Sequence, residues 1–228
     1  MVTNTTNHEA DRPFLTRAYK LSGVDEARDL YNEWAATYDQ DLADPSHDWV
    51  APALTAAALL DFFSDANSSE TPLQILDAGC GTGIVGAALA LQTPARDPKI
   101  NTDIDGIDLS TGMLDVARKT GAYRRLDTAD MSGSLESIED GSYDGVICVG
   151  VLTQGHVGPG VLREFSRLLK TGGCAAVTVR EDIWESGGYK TVVEGLEKEG
   201  KIKVVRNTSE DSLRGASIKM KLLVLERL

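Results

Sequence analysis

An acid followed by three alternate glycines, Asp77-Ala78-Gly79-Cys80-Gly81-Thr82-Gly83, carries more chemical information than any other stretch of this chain. Glycine lacks a Cβ, so its backbone takes dihedrals closed to other residues and lies flush against a ligand. A helix that starts behind such a loop presents unpaired N–H groups and the positive end of its dipole. Together these make a cradle for a nucleotide-like molecule or a carboxylate. Asp108, in Ile104-Asp105-Gly106-Ile107-Asp108-Leu109-Ser110, is placed as an acid at the tip of a second strand. A carboxylate there accepts both hydroxyls of a ribose. Arg125-Leu126-Asp127-Thr128-Ala129-Asp130-Met131 offers two more acids, Asp127 near the end of a third strand and Asp130 just after it. His156, in Thr153-Gln154-Gly155-His156-Val157, titrates near neutrality and is the candidate general base, the alternative being a loop histidine bonded to backbone.

These side chains need strands and helices to hold them. Gln74 to Ala78 reads as a buried strand, and Ile84 to Leu91 as the helix behind the glycine turn. Further strands are expected near 103–108, 123–128, 143–150, 173–180, 201–207 and 216–226. The unbroken apolar or small run from Gly145 to Leu152 is that of a central parallel strand buried on both faces. Leu162, Phe165 and Leu169 share one face of a helix expected over 160–169. Strands alternating with helices give an α/β fold, a doubly wound, mostly parallel seven-stranded sheet. Tyr31, Trp34, Ala35 and Tyr38 fall at i, i+3, i+4 and i+7, one face of a further helix. With the alanine-rich helix from Ala51 to Phe63, which Asp48 is placed to cap, it forms an N-terminal helical cap over 21–66. This cap and a ligand-binding core over 72–228 make one domain over 21–228, with residues 1–20 a flexible tail.

The loop spacing departs from the dinucleotide fingerprint G-x-G-x-x-G and resembles motif I of the class I S-adenosylmethionine-dependent methyltransferases, hydrophobic-(D/E)-x-G-x-G-x-G. Four more stretches follow in that family's order. Asp108-Leu109-Ser110 with Gly112-Met113-Leu114-Asp115-Val116-Ala117 resembles "D-x-S-x-x-M-L-x-x-A". Asp130-Met131 matches the acid-plus-apolar pair that holds adenine, with Asp127 the competing acid. Tyr143-Asp144-Gly145-Val146-Ile147-Cys148-Val149-Gly150-Val151-Leu152 resembles motif IV. Lys170-Thr171-Gly172-Gly173 is similar to "K-P-G-G", with Thr171 in place of the usual proline. Tyr31-Asn32-Glu33-Trp34-Ala35-Ala36-Thr37-Tyr38-Asp39 resembles the "Y-x-x-W-A-x-x-Y-D" lead-in of small-molecule members, including the methyltransferase-like group of the Williams–Beuren region.

The resemblance implies a last strand antiparallel beside the fifth. It implies S-adenosylmethionine as cofactor and S-adenosylhomocysteine as product. Cofactor contacts carried over are Tyr38, Asp77, Gly79, Cys80, Gly81, Gly83, Asp108, Leu109, Met113, Asp130, Met131, Gly150 and Val151. Trp34, Gln154, His156 and Trp184 are the candidate substrate residues, and His156 and Tyr38 the candidate catalytic ones. Tyr38 and Trp34 either cover the cofactor's methionine end or simply pack a lid helix. Trp184 either walls the acceptor site or touches that lid. The amine-methylating "N/D-P-P-(Y/F)" motif is absent after the fourth strand.

With 23 Lys and Arg against 35 Asp and Glu, the chain carries a net charge of −12. Nucleic-acid enzymes need a basic face to neutralise phosphates, so a nucleic-acid substrate is disfavoured. The field favours a neutral or cationic small molecule. No apolar stretch approaches the length of a membrane span, and nothing resembles a signal peptide, so a cytoplasmic setting is expected. Cys80, Cys148 and Cys174 lack the spacing of a zinc or disulfide framework, so no metal is expected. The expected activity is methyl transfer to an O, N or S atom of a small molecule, a metabolite or natural-product intermediate. Rival readings are a cyclisation or rearrangement enzyme on the same cofactor fold, a regulatory binder of the cofactor, and an NAD-dependent enzyme.

Overall fold

A computed structural model describes residues 13–44, 47–64, 71–95 and 100–228. In chain order the elements are α1 (Pro13–Ala18), α2 (Val24–Trp34), α3 (Tyr38–Leu42), α4 (Ala51–Ser64), β1 (Leu73–Ala78), α5 (Ile84–Gln92), β2 (Thr102–Asp108) and α6 (Thr111–Ala117). There follow β3 (Arg125–Thr128), β4 (Tyr143–Leu152), α7 (Val161–Leu168), β5 (Leu169–Arg180), α8 (Tyr189–Lys198), β6 (Ile202–Leu213) and β7 (Ile218–Arg227). The seven strands form one sheet in the order β3-β2-β1-β4-β5-β7-β6. Pairings from β3 through β5 are parallel, while β7 lies antiparallel to both β5 and β6.

The period of two along the strands divides the core into layers. On β1, Ile75 faces the layer under α4 and α5 with Leu59, Leu60 and Leu89; its neighbour Leu76 faces the opposite layer with Phe165 and Leu168 of α7. On β4, Val146 and Cys148 fall in the α7 layer and Ile147 and Val149 in the α4 layer. Both faces are covered, which is why these strands read as continuous apolar runs. Strand order reverses between β1 and β4, opening a crevice at the carboxyl ends of the strands where such sheets take their ligands.

Several expectations change. Within the tail expected over 1–20, Pro13–Ala18 is helical and Phe14 stacks on Trp34 with ring centroids 5.4 Å apart; residues 1–12 lie outside the described residues. The single aromatic helix over 31–38 is broken: α2 stops at Trp34 and Tyr38 begins α3. The rings still meet, Trp34 and Tyr38 edge-on at 4.6 Å. Val50, not Asp48, precedes α4, and the Asp48 carboxylate faces Arg214 at 3.5 Å. Strict alternation also fails, since β3 leads to β4 with no helix between and β6 turns directly into β7. The fifth strand starts at Leu169, directly after α7, instead of near 173.

Candidate functional site

The glycine loop between β1 and α5 takes left-handed dihedrals at Gly79, Gly81 and Gly83. Two of these positions show why no other residue serves. A Cβ on Gly79 would sit 2.2 Å from Val151 Cγ2, so the loop presses directly on the end of β4. At Gly81 a Cβ would meet no atom within 4 Å, because that position faces open space. The open space is a cavity of about 350 Å³ at the carboxyl ends of β1, β2 and β4, within the size range of small-molecule sites.

Asp108 ends β2 at the wall of this cavity. Its Oδ2 accepts the Gly81 N–H at 2.9 Å and its Oδ1 accepts the Ser110 N–H at 2.8 Å. Burial raises its pKa, while the donors on Ser110 and Gly81 pull it down. Ser110 caps α6 by accepting from Met113 N, and it donates to Asn32 of α2 at 2.7 Å. Gly112 N–H also donates to Asn32 Oδ1, at 3.0 Å, so one amide clamps the cap onto the β2–α6 turn. Asp130, not Asp127, reaches the cavity; its Oδ1 accepts from Ser132 N and Oγ.

On the far wall, His156 Nδ1 lies 2.9 Å from the Gln154 carbonyl and its Nε2 lies 2.8 Å from Tyr31 Oη. A carbonyl only accepts, so Nδ1 carries the proton. Burial lowers the His156 pKa and keeps the ring neutral, leaving the Nε2 lone pair to accept from the Tyr31 hydroxyl. Burial raises the Tyr31 pKa well above its usual value, as it does for Tyr38, so both phenols stay protonated.

Of the residues singled out from sequence, Tyr38, Gly79, Gly81, Asp108, Leu109, Met113, Asp130, Met131, Gly150, Val151 and His156 meet around this cavity. Asp77, Cys80 and Gly83 do not line it. Asp77 is fully buried under the loop; Tyr123 Oη donates to its Oδ2 at 2.7 Å and accepts from Gly86 N at 3.2 Å. Its Oδ1 has no partner, and burial pushes its pKa up to about 7. Trp34 lines a smaller neighbouring cavity. Gln154 contributes its carbonyl to His156 and its side chain lines neither cavity. Trp184 is buried in the α7 and α8 layer and lines neither cavity. Tyr31, Asn32, Tyr123 and the Leu21–Val24 turn were not singled out as site residues. Tyr31 belongs to the aromatic stripe read from spacing, but its partner lies 125 residues away. No described helix is long and apolar enough to cross a membrane, and the described residues hold no cluster of metal-ligating side chains.

The crevice, the glycine cradle, Asp108 and Asp130 fit an adenosine-bearing ligand: an open face at Gly81 and two carboxylates on successive strand ends. A methyltransferase domain family matches residues 75–173. Methyltransferase-like protein 27 of Homo sapiens is 31% identical over 169 residues, covering 74% of this chain and 64% of that protein. Ubiquinone biosynthesis O-methyltransferase of Actinobacillus pleuropneumoniae is 26% identical over 161 residues, 67% of this chain and 64% of that protein. The chain thus spans somewhat less than two thirds of either relative. Magnesium protoporphyrin IX methyltransferase of Synechocystis PCC 6803, solved with bound SAH, superposes with a TM-score of 0.64 at 16% identity, over 90% of this chain and all of that one, a likeness of fold.

Proposed function

We propose that this chain, which matches a methyltransferase domain family over residues 75–173, is a class I S-adenosylmethionine-dependent methyltransferase that methylates an O, N or S atom of a small molecule. The observation that carries this reading is a pair of adjoining cavities. The larger holds the glycine loop and the two acids; the smaller, of about 90 Å³, joins it at Tyr31, Tyr38, Gly150 and His156. A cofactor in one chamber and an acceptor in the other would meet at those four residues. The helical cap closes over the junction, which suits a small guest, and the net charge of −12 argues against a polyanionic one.

Asp108 would take the ribose hydroxyls, Asp130 and the Met131 backbone the adenine, and Gly79 and Gly81 the methionine end. Leu109, Met113, Val151 and Tyr38 would supply apolar contact. When bound, the sulfonium supplies an electrophilic methyl group with a good leaving group, so the protein's tasks are alignment and exclusion of water. For a hydroxyl acceptor, Tyr31 Oη is placed to receive the proton while passing its own to His156 Nε2. A thiol needs this relay less, because it ionises closer to neutrality.

Calorimetric titration with S-adenosylhomocysteine and, separately, NAD tests the cofactor. Micromolar binding of the first alone is expected, and its absence would overturn the reading. Label transfer from a methyl-labelled donor to a panel of phenols, amines and thiols then tests the activity. Tight cofactor binding without label transfer to any acceptor would instead favour a cyclisation or rearrangement on the same fold.

A further inference from the structure

The smaller chamber has a composition of its own. Its walls include the rings of Tyr31, Trp34, Tyr38 and Trp49. Tyr38 stands edge-on to Trp34 at 4.6 Å and to Trp49 at 6.5 Å. Ring-walled chambers take one of two guests: a cation held over aromatic faces, or a flat π system stacked and edged among them.

Arg180 decides between them. It ends β5 at the carboxyl edge of the sheet and lines the same chamber. Its guanidinium stacks over Tyr19 at 4.5 Å, and its Nη2 pairs with Asp182 Oδ2 at 3.0 Å. Its Nη1 is withdrawn from solvent and has no hydrogen-bond partner among the described residues. Thr153 Oγ1, on the same chamber wall, is also buried and without a partner. Buried donors left unpaired are costly and rare, so two at one wall favour a guest that carries an acceptor group. A guanidinium with half its fork unused matches a carboxylate, which accepts from it in plane. A cationic guest would face that guanidinium and be repelled. The general field of this acidic chain favours neutral or cationic molecules, but at this wall the local charge is reversed.

The geometry points to an acceptor that is a single-ring aromatic carboxylate, its carboxylate on Arg180 Nη1 and Thr153 Oγ1 and its ring among Tyr38, Trp34 and Trp49. This deepens the methyltransferase reading above and rests on it for the meaning of the second chamber. A volume of about 90 Å³ leaves no room for an extended polycycle, and a single substituted ring would fill it and reach past it toward the larger cavity. A hydroxyl on the ring pointing away from the carboxylate would face the Tyr31–His156 pair at the junction.

The test is calorimetric binding of three probes to the protein saturated with S-adenosylhomocysteine: 4-hydroxybenzoate, phenol and benzyltrimethylammonium. The carboxylate should bind about tenfold or more tighter than phenol, as a charge-assisted contact gives, and the cation should bind weakest. Arg180→Gln should erase the carboxylate's advantage while leaving phenol unchanged; Thr153→Val should reduce it. Equal affinity for carboxylate and phenol, tighter binding of the cation, or a carboxylate preference that survives Arg180→Gln would each overturn the inference. If Arg180→Gln does not fold, the ranking of probes on the natural chain and on Thr153→Val decides. The two levels separate cleanly. No binding of S-adenosylhomocysteine sinks the methyltransferase reading, whereas its normal binding with no carboxylate preference sinks only the acceptor.

Discussion

Asp77 is fully buried, accepts a hydrogen bond from Tyr123, and has its Oδ1 unpartnered, so its charge is held at a cost. Burial raises its carboxyl from 3.8 to about 7, against the help of the Tyr123 hydroxyl. Between those two pH values the folded chain keeps a proton that the unfolded chain has released. The stability tied to that proton is complete below the unfolded value and is lost as pH rises through about 7. Each pH unit is about 1.36 kcal/mol, so a window of roughly three units amounts to about 4 kcal/mol. Asp77→Asn removes the titration while keeping an oxygen to accept from Tyr123. The amide brings its own fixed cost, because its N–H donors enter the site of the unpartnered oxygen. That cost does not depend on pH, so the slope is the readout. Urea unfolding of both chains from about pH 4 to about pH 8 should show the natural chain losing about 4 kcal/mol relative to the variant, mostly below pH 7. Parallel profiles would refute the reasoning, and would mean that Asp77 is as well served folded as it is in water.

Gly81→Val places a branched side chain in the open space of the cavity at a φ of +53°, so S-adenosylhomocysteine binding should fall about 100-fold or more in calorimetry. The strain should cost about 1–3 kcal/mol in stability, and an unchanged affinity would remove the loop from the cofactor site. Asp108→Ala deletes the acceptor of the Gly81 and Ser110 N–H groups together with the proposed ribose contacts, and should weaken cofactor binding by about 1–3 kcal/mol. In the natural chain the His156 ring should titrate below the ordinary value of about 6.5, read by the NMR shifts of its ring protons. Tyr31→Phe removes the donor that favours the neutral ring and should move that midpoint upward; an unmoved midpoint would break the proposed pair.

Much of the fold was legible because its signals are local. A buried strand needs a run of apolar residues, and a left-handed turn needs glycine, so β1, the cradle at Gly79 and Gly81, and α5 were readable from one stretch. Asp108 and Asp130 were readable as acids just past strand ends, and both reach the cavity. Other side chains were placed by partners far along the chain. Asp77 has the right type and spacing, yet it turns under the loop because Tyr123, 46 residues on, holds it there. Trp184 reads from sequence as an acceptor wall or a lid contact, and only the packing with α7 and α8 places it in the core. His156 reads alone as a loop histidine; Tyr31, brought by the cap, turns its Nε2 into a paired acceptor. Arg180 carries no motif, and only the fold, which sets it against Tyr19 and Asp182, shows that its Nη1 is buried without a partner. Periodicity and backbone dihedrals are properties of neighbouring residues, so the sheet, the glycine cradle and the acids beside it could be read along the chain. Burial and hydrogen bonding are set by groups that only folding brings into contact, so which polar atoms face the cavities and which stay unpaired could not.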